Sequence, residues 1–192
     1  MALWGISTSD EAKPKYLTAE QKKNTYATDS GWVYKDPNTG LEEVLVAIGG
    51  LTGGTSTTAR LGAADITALT WVTASLDADD TAITVDVVYN EKVDVDTDGG
   101  TPTMVVSNDD TSGDANGDYT LSYSAGTGTN KIRFTATGQT LSATDVLSIG
   151  AQNIALNSGT MKDAGQVTAN SKVAISAGVG AAAGDITVEA GA

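Results

Sequence analysis

The chain of 192 residues contains no cysteine and no histidine. Without cysteine, neither disulfides nor thiolate chemistry are available. Without histidine, the usual general base and the commonest zinc ligand are missing, and no Ser-His or Cys-His arrangement can form. A serine or threonine nucleophile would need a lysine partner, and the few lysines past residue 60 lie beside no serine motif. We therefore predict that the protein is not an enzyme.

Long hydrophobic runs are also missing. No apolar stretch approaches the ~18 residues that a membrane-spanning helix needs. The opening sequence, MALWGISTSDEAKPK, lacks the basic stretch followed by an apolar one that marks a secretory signal. The glycine run at residues 49–54 is not followed by the Lys-Ser/Thr helix start of a phosphate loop. We expect no membrane partner, and we expect the protein to be used in the cytosol or in a particle assembled there.

Positive charge is scarce, and the imbalance is uneven along the chain. The formal net charge is −13. Residues 1–60 hold six basic and seven acidic side chains, which sum to −1, whereas residues 61–192 hold five and seventeen, which sum to −12. A unit this acidic repels phosphate backbones, so we expect no nucleic-acid partner. The charge also favours solubility and discourages stray pairing of strand edges.

What is abundant favours β-structure. The chain has 22 glycines and is rich in Thr, Ser, Ala, Val and Asp, residues that suit strands and tight turns. In AITVDVVYNEKVDVD, Ile83, Val85 and Val87 alternate with Thr84 and Asp86, which predicts a strand with one buried face. Further strands are predicted at 66–72, 104–106, 119–123, 132–136, 146–149, 173–177 and 186–188. Short alternating strands at this spacing predict a sandwich.

The N-terminal region has a different character. Residues 1–17 are predicted to be an extended arm. The capping-box pattern at residues 18–21 predicts a short helix that ends near Thr25. Trp32–Tyr34 and Val44–Ile48 flank a turn sequence and are predicted to pair as a hairpin. Because an isolated hairpin is marginal in water, its apolar face needs a cover.

Four segments resemble the bacterial Ig-like repeats of large surface adhesins. They are VVYNEKVDVD, TPTMVVSN, YTLSYSAGTGTNKIRFTATG and VLSIGAQNIALNSGTMKDAGQ. The residues that carry the resemblance are Glu91 and Val93, Thr101–Thr103, Gly126–Phe134 and Asn157–Asp163, in the order of the family pattern, and the match covers about residues 64–178. The resemblance implies an Ig-like sandwich.

The N-terminal region resembles a second family, the virion structural proteins of tailed phages of marine bacteria, particularly cyanophages. The matching residues are Met1–Gly5, Lys13–Thr18, Gly31–Val33 and Glu43–Ile48. Proteins of that group are similar in having a short shared front end followed by variable β-domains. The resemblance implies a virion component, with residues 1–50 gripping the shell.

The predicted fold class is therefore all-β: an Ig-like β-sandwich preceded by an extended N-terminal arm with a short helix and a β-hairpin. We predict a capsid-docking arm and hairpin at 1–50 and a Gly/Thr-rich linker at 51–63. The sandwich then covers 64–178, and a C-terminal tail strand covers 179–192.

Large apolar side chains in the N-terminal region lack an evident core of their own, and aromatic residues are favoured as interface anchors. The predicted partner-binding residues are Leu3, Trp4, Ile6, Tyr16, Leu17, Trp32 and Tyr34. The alternative is that such residues are half-exposed and serve no partner.

A calcium site is a weaker hypothesis. Asp94, Asp96 and Asp98 precede a glycine in the pattern of the first half of a calcium loop, but Val105 stands where an EF-hand has its glutamate. A second acidic run at residues 109–118 supplies further oxygens only if the two loops meet at one end of the sandwich. Alternatively, both are solvated turns.

The predicted function is that of a virion structural protein, most simply a capsid decoration or cement protein. Its partners would be the major capsid protein and neighbouring copies of itself. The alternative is a receptor- or glycan-binding module of a tail or head fibre, with a host cell-surface glycan as partner. A third hypothesis, a stray adhesin domain of a bacterium, is disfavoured by the missing secretory signal.

Overall fold

In the computed structural model, the residues that can be described are 12–52, 61–73, 75–109, 113, 116–164 and 170–191. They form fourteen strands and two short helices, so the protein is predominantly β. The N-terminal elements are α1 (Ala19–Lys23), β1 (Thr25–Thr28), β2 (Gly31–Lys35) and β3 (Glu42–Ala47). Then follow β4 (Ile66–Trp71), β5 (Leu76–Asp77), β6 (Ala82–Asp96), β7 (Thr103–Asn108), β8 (Tyr119–Ala125) and β9 (Thr129–Thr137). The last elements are β10 (Val146–Ser148), β11 (Gln152–Asn153), β12 (Thr160–Asp163), β13 (Ala174–Ile175), α2 (Ala177–Ala183) and β14 (Ile186–Glu189).

Strand β6 pairs with four other strands. Its first half lies antiparallel between β4 and β9, and its second half pairs with β12. Strand β1 joins it in parallel where Ala27 lies opposite Glu91. The path through the large mixed sheet is β3-β2-β1-β6-β9-β8-β7-β10-β14-β5, and β11 and β13 form a separate pair. The polar residues Asn90–Lys92 do not end β6. They coincide with an irregularity in the β6–β9 register, between Val88 and Val93.

The main core lies on the face of β6 that the alternation predicts. Ile83, Val85 and Val87 are fully buried, whereas Thr84 and Asp86 are only partly buried. On the outer face, Asp86 lies directly opposite Arg133 and accepts from its guanidinium at 2.7 and 2.9 Å. The buried residues of β7, β8, β9, β10 and β14 join β6 in one hydrophobic cluster.

The N-terminal elements were largely predicted. Thr18 Oγ1 accepts from the Gln21 N–H at 3.2 Å, and Gln21 Oε1 accepts from the Thr18 N–H at 3.0 Å, which completes the capping box of α1. Strands β2 and β3 form the predicted hairpin. The helix ends at Lys23, however, and residues that were expected to close it start β1 instead.

The C-terminal part differs from the prediction. In the strand predicted at 173–177, only Ala174 and Ile175 form a strand. Helix α2 then occupies the start of the stretch predicted as the C-terminal tail strand, and only β14 of that stretch is a strand. Ser176 caps α2 by accepting from the Val179 N–H at 3.3 Å. Gly180 lies against the Ile149 carbonyl, where a Cβ would clash. Alanine-rich sequence can form a helix here because β4 lies against it.

Candidate docking surface

Residues 12–52 lie against β6 and β9 and do not form a detached arm. Besides the β1–β6 pairing, Lys131 Nζ donates to Asn24 Oδ1 at 2.6 Å and Asn130 Nδ2 donates to the Lys23 carbonyl at 3.2 Å. Leu51, the first residue of the linker predicted at 51–63, is only 1% exposed, and residues 53–60 of that linker lie outside the described residues. Contacts therefore connect the N-terminal region to the strands that follow the predicted boundary.

Two of the predicted partner-binding residues are buried, and one of them, Trp32, belongs to a small second core. Trp32 is 1% exposed and packs with Ala27, Ile48 and Leu51, so its surface is used by this chain and is not open to a partner. Gly31, which precedes it, has φ +126° and lies against the Val46 carbonyl, a position that a side chain would not fit. Leu17 is also buried.

The other predicted partner-binding residues have different environments. Tyr16 is 71% exposed and Tyr34 is partly buried, so both present surface to solvent. Leu3, Trp4 and Ile6 lie outside the described residues. Within the described chain, Tyr16 is thus the member of the predicted set with the most accessible apolar surface.

Two exposed apolar residues were not predicted as candidates. Leu41 is 72% exposed and Val44 is 50% exposed, although the alternation of Val44, Val46 and Ile48 predicts one shared face. The ladder between β2 and β3 shifts register between Trp32 and Val33, where Leu45 is left without an opposite residue. This bulge turns Val44 away from the small core that Val46 and Ile48 contact. A bulge of this kind leaves no mark in the sequence.

A lysine-rimmed pocket lies beside the hairpin, between α1, β4 and α2. Its volume is about 460 Å³, and its lining includes Lys13, Lys22, Lys23, Leu69 and Ala182. Lys13 Nζ donates to the Lys22 carbonyl at 2.8 Å. Burial, and secondarily the nearby Lys22 ammonium, lower the pKa of Lys13 to about 8. Lys23 is paired with Glu20 at 2.8 Å.

A buried acidic pair lies where the N-terminal hairpin meets β6. Glu91 is 3% exposed, and its Oε1 has no hydrogen-bond partner among the described residues. Asp163 is 5% exposed and accepts from the Ala64 N–H at 2.7 Å and from the Ser171 hydroxyl at 3.3 Å. Burial, and secondarily the Asp163 charge, raise the pKa of Glu91 to about 8. Glu91 shares its parity along β6 with the buried Tyr89 and Val93, a signal in the sequence that predicts its inward direction.

The predicted calcium ligands do not converge. Asp94 and Asp96 are exposed at the end of β6, and Asp96 Oδ1 accepts from the Asp98 N–H at 2.9 Å, as in a solvated turn. Among the residues that the structure describes, no group of three or more acidic side chains is placed to hold a metal ion.

Residues 110–112, 114 and 115 of the second acidic run lie outside the described residues. Of its described part, Asp109 follows β7 whereas Asp98 precedes β7, and six extended residues span about 20 Å. Asp118 Oδ1 instead accepts from the Asn108 N–H at 3.0 Å.

No helix in the described part of the chain is long and apolar enough to cross a bilayer. No protein-family model, no curated protein and no solved structure matches the chain.

Proposed function

We propose that the chain is a virion structural protein, a capsid decoration protein that attaches through its N-terminal region and projects an Ig-like sandwich from the shell. Its proposed location is the virion, and its proposed partners are the major capsid protein and neighbouring copies of itself. The activity is binding through buried surface, with no covalent chemistry.

The strand order supports the Ig-like part of this proposal. In a seven-stranded Ig-like sandwich, with strands lettered A to G along the chain, A-B-E-D form one sheet and C-F-G form the other. Here the pairing β4-β6-β9-β8 has the first order and β7-β10-β14 has the second, and the seven strands take the letters in chain order. The β7–β8 pairing joins the two rows. Strands β5 and β11 to β13 are additions to this frame.

The observation that carries the docking proposal is the distribution of exposed apolar side chains. Five large hydrophobic side chains of the described residues are exposed: Tyr16, Leu41, Val44, Val72 and Val105. The three most exposed of them lie in residues 12–52. An N-terminal region that is nearly neutral and apolar at its surface suits a protein partner, whereas the acidic sandwich suits an outward, solvated position.

The two resemblances point to the same division of roles. The N-terminal residues that resemble a virion-protein front end, Lys13–Thr18 and Glu43–Ile48, include or adjoin all three of these exposed side chains. The residues that resemble adhesin repeats fall within β6 to β12. Under this proposal, the attachment region and the projecting domain are both present in this chain.

The proposal is tested by counting copies. We expect quantitative mass spectrometry of purified virions to find this chain in hundreds of copies, and labelled electron microscopy to place it on the head. A handful of copies located on the tail would favour the fibre alternative and overturn decoration. Absence from purified particles would overturn the virion proposal altogether.

The attachment region is tested by substitution. We expect Tyr16→Ser together with Leu41→Ser to reduce binding of the purified protein to particles that lack it. The matched control is Val72→Ser with Val105→Ser, which removes exposed apolar side chains from the sandwich instead. Equal loss of binding in both double variants would contradict docking through the N-terminal region.

A further inference from the structure

Strand β3 is the terminal strand of the large sheet, and no described strand pairs with its outer edge. None of its six residues is buried, whereas every other described strand of four or more residues contains at least one buried residue. At the opposite end of the sheet the terminal strand, β5, has only two residues. β3 is therefore the long open edge of the described structure.

The backbone of this edge has donors and acceptors to offer. The Asp36 N–H donates to the Leu41 carbonyl at 2.9 Å, so residue 41 belongs to a hydrogen-bonded pair of the β2–β3 ladder. Hydrogen-bonded and non-bonded pairs alternate along an antiparallel ladder. The N–H and C=O groups of Glu42 and Val44 consequently point away from β2, towards the open side. A further strand can use them without disturbing the existing hairpin.

The side chains of the edge are apolar with charge at one end only. The strand sequence is EEVLVA, and Val44 is half-exposed beside the exposed Leu41. Lys92 Nζ lies 3.9 Å from Glu42 Oε1 and partly neutralises the charged end. Proteins protect exposed edges with charge, proline or a cover, and here the Val44–Ala47 half carries neither charge nor proline.

We propose that β3 pairs antiparallel with β3 of a second copy of this chain, so that one sheet continues across a two-fold axis. Centred on Val44, this arrangement places Glu42 and Glu43 of each copy opposite the uncharged Val46 and Leu45 of the other. A parallel arrangement would instead set each glutamate about 4.8 Å from its counterpart, and like charges directly opposite are destabilising. The charge order along the strand thus selects the antiparallel, self-complementary pairing.

Two-fold pairing also closes the assembly. Both copies use the same edge, so the association stops at a dimer and leaves no further open β3 edge. The Val44 side chains of both copies approach each other near the axis. The pairing uses only residues of this chain, so it does not require attachment to a particle.

Sedimentation velocity of the full chain over a range of concentrations tests the pairing. We expect a monomer–dimer equilibrium for the wild type. Val44→Lys should raise the dimer dissociation constant by at least about tenfold, because it brings two ammonium groups together near the axis. The matched control is Val105→Lys, which changes an exposed valine of β7, a strand paired on both sides, and should leave the constant unchanged.

A second variant tests the backbone itself. Val44→Pro removes the outward N–H while sparing the β2–β3 ladder, so it should also abolish dimerisation, with circular dichroism confirming the fold. A wild-type chain that stays monomeric, or a dimer that Val44→Lys leaves intact, would overturn the inference. If the chain is monomeric but Val44→Lys prevents attachment to particles, β3 pairs with a particle protein; self-pairing is then wrong and the proposed function stands.

Discussion

Trp32 in the N-terminal hairpin and Phe134 on β9 are both almost completely buried, but their surroundings differ. Trp32 belongs to a cluster whose buried members are four residues. Phe134 belongs to one with twenty-four, which includes residues of β4 and β14. A large core cannot open in one place without exposing its neighbours, whereas a four-residue core can open alone. The comparison predicts that residues 12–52 depend on β6 for their order, while the region from β4 to β14 does not depend on them.

The largest effect is expected at the centre of the large core. Phe134→Ala removes a fully buried ring from β9 and should lower the free energy of unfolding by about 3–5 kcal/mol. Urea denaturation followed by far-UV circular dichroism measures this change. A loss below about 1 kcal/mol, the usual range for surface sites, would mean that the large hydrophobic core is not the main source of stability.

The junction between the two regions should respond to pH. In the folded protein, burial and the Asp163 charge raise the pKa of Glu91 from its ordinary value of 4.5 to about 8. Between these two values the folded protein keeps a proton that the unfolded chain has released, so stability falls as pH rises and levels off above about pH 8. Glu91→Gln removes this dependence. The variant should be more stable than wild type by on the order of 3 kcal/mol near pH 8.5, and by little near pH 5.

Thermal melts at several pH values measure that difference, and Glu189→Gln on β14 is the control because its side chain is exposed. Charged groups near Glu91 do not relieve the effect. Asp163 carries the same sign, and Lys92 lies over the Tyr26 ring, 4.9 Å from its centroid. A stability gain that is the same at pH 5 and pH 8.5 would show that the carboxyl is not held protonated in the folded state.

Removal of the hairpin's aromatic side chain gives the matching local experiment. Trp32→Ala should lower amide protection of β1 and β2 by about 3 kcal/mol while leaving the urea midpoint of the large core nearly unchanged. Hydrogen exchange resolved by peptide distinguishes the two regions. If protection falls equally in β7 and β9, the chain unfolds as one unit and the contrast between the two cores has no energetic meaning.

Sequence patterns sufficed where the information was local. The alternation of Ile83, Val85 and Val87 predicted the buried face of β6, and the capping box at Thr18 predicted α1. In each case the residues that determine the structure lie within a few positions of one another.

What the sequence did not reveal depends on distant contacts. Leu51 lies in a stretch with the composition of a linker, yet it packs on Trp32 across the hairpin. Strand β1 has four residues, too few to show a period, and it is extended because β2 and β6 flank it. Val44 is exposed because of a bulge, and Asp98 and Asp109 are separated by the length of β7. Each of these facts bears on the candidate site, which is why the site was less predictable than the fold.

The smallest effect contrasts the two helices. α1 contains no buried residue, so its end groups depend on the Thr18 cap, whereas α2 packs on β4 and buries Gly180. Thr18→Ala should therefore cost about 1 kcal/mol of local stability, detected as faster exchange of the Lys22 amide, which donates to the Thr18 carbonyl at 2.9 Å. The corresponding change in α2, Ser176→Ala, should accelerate exchange less, because tertiary packing holds that helix after its cap is lost. If both helices respond equally, the cap contributes alike to both, and the lack of buried residues in α1 does not make that helix more dependent on its cap than α2.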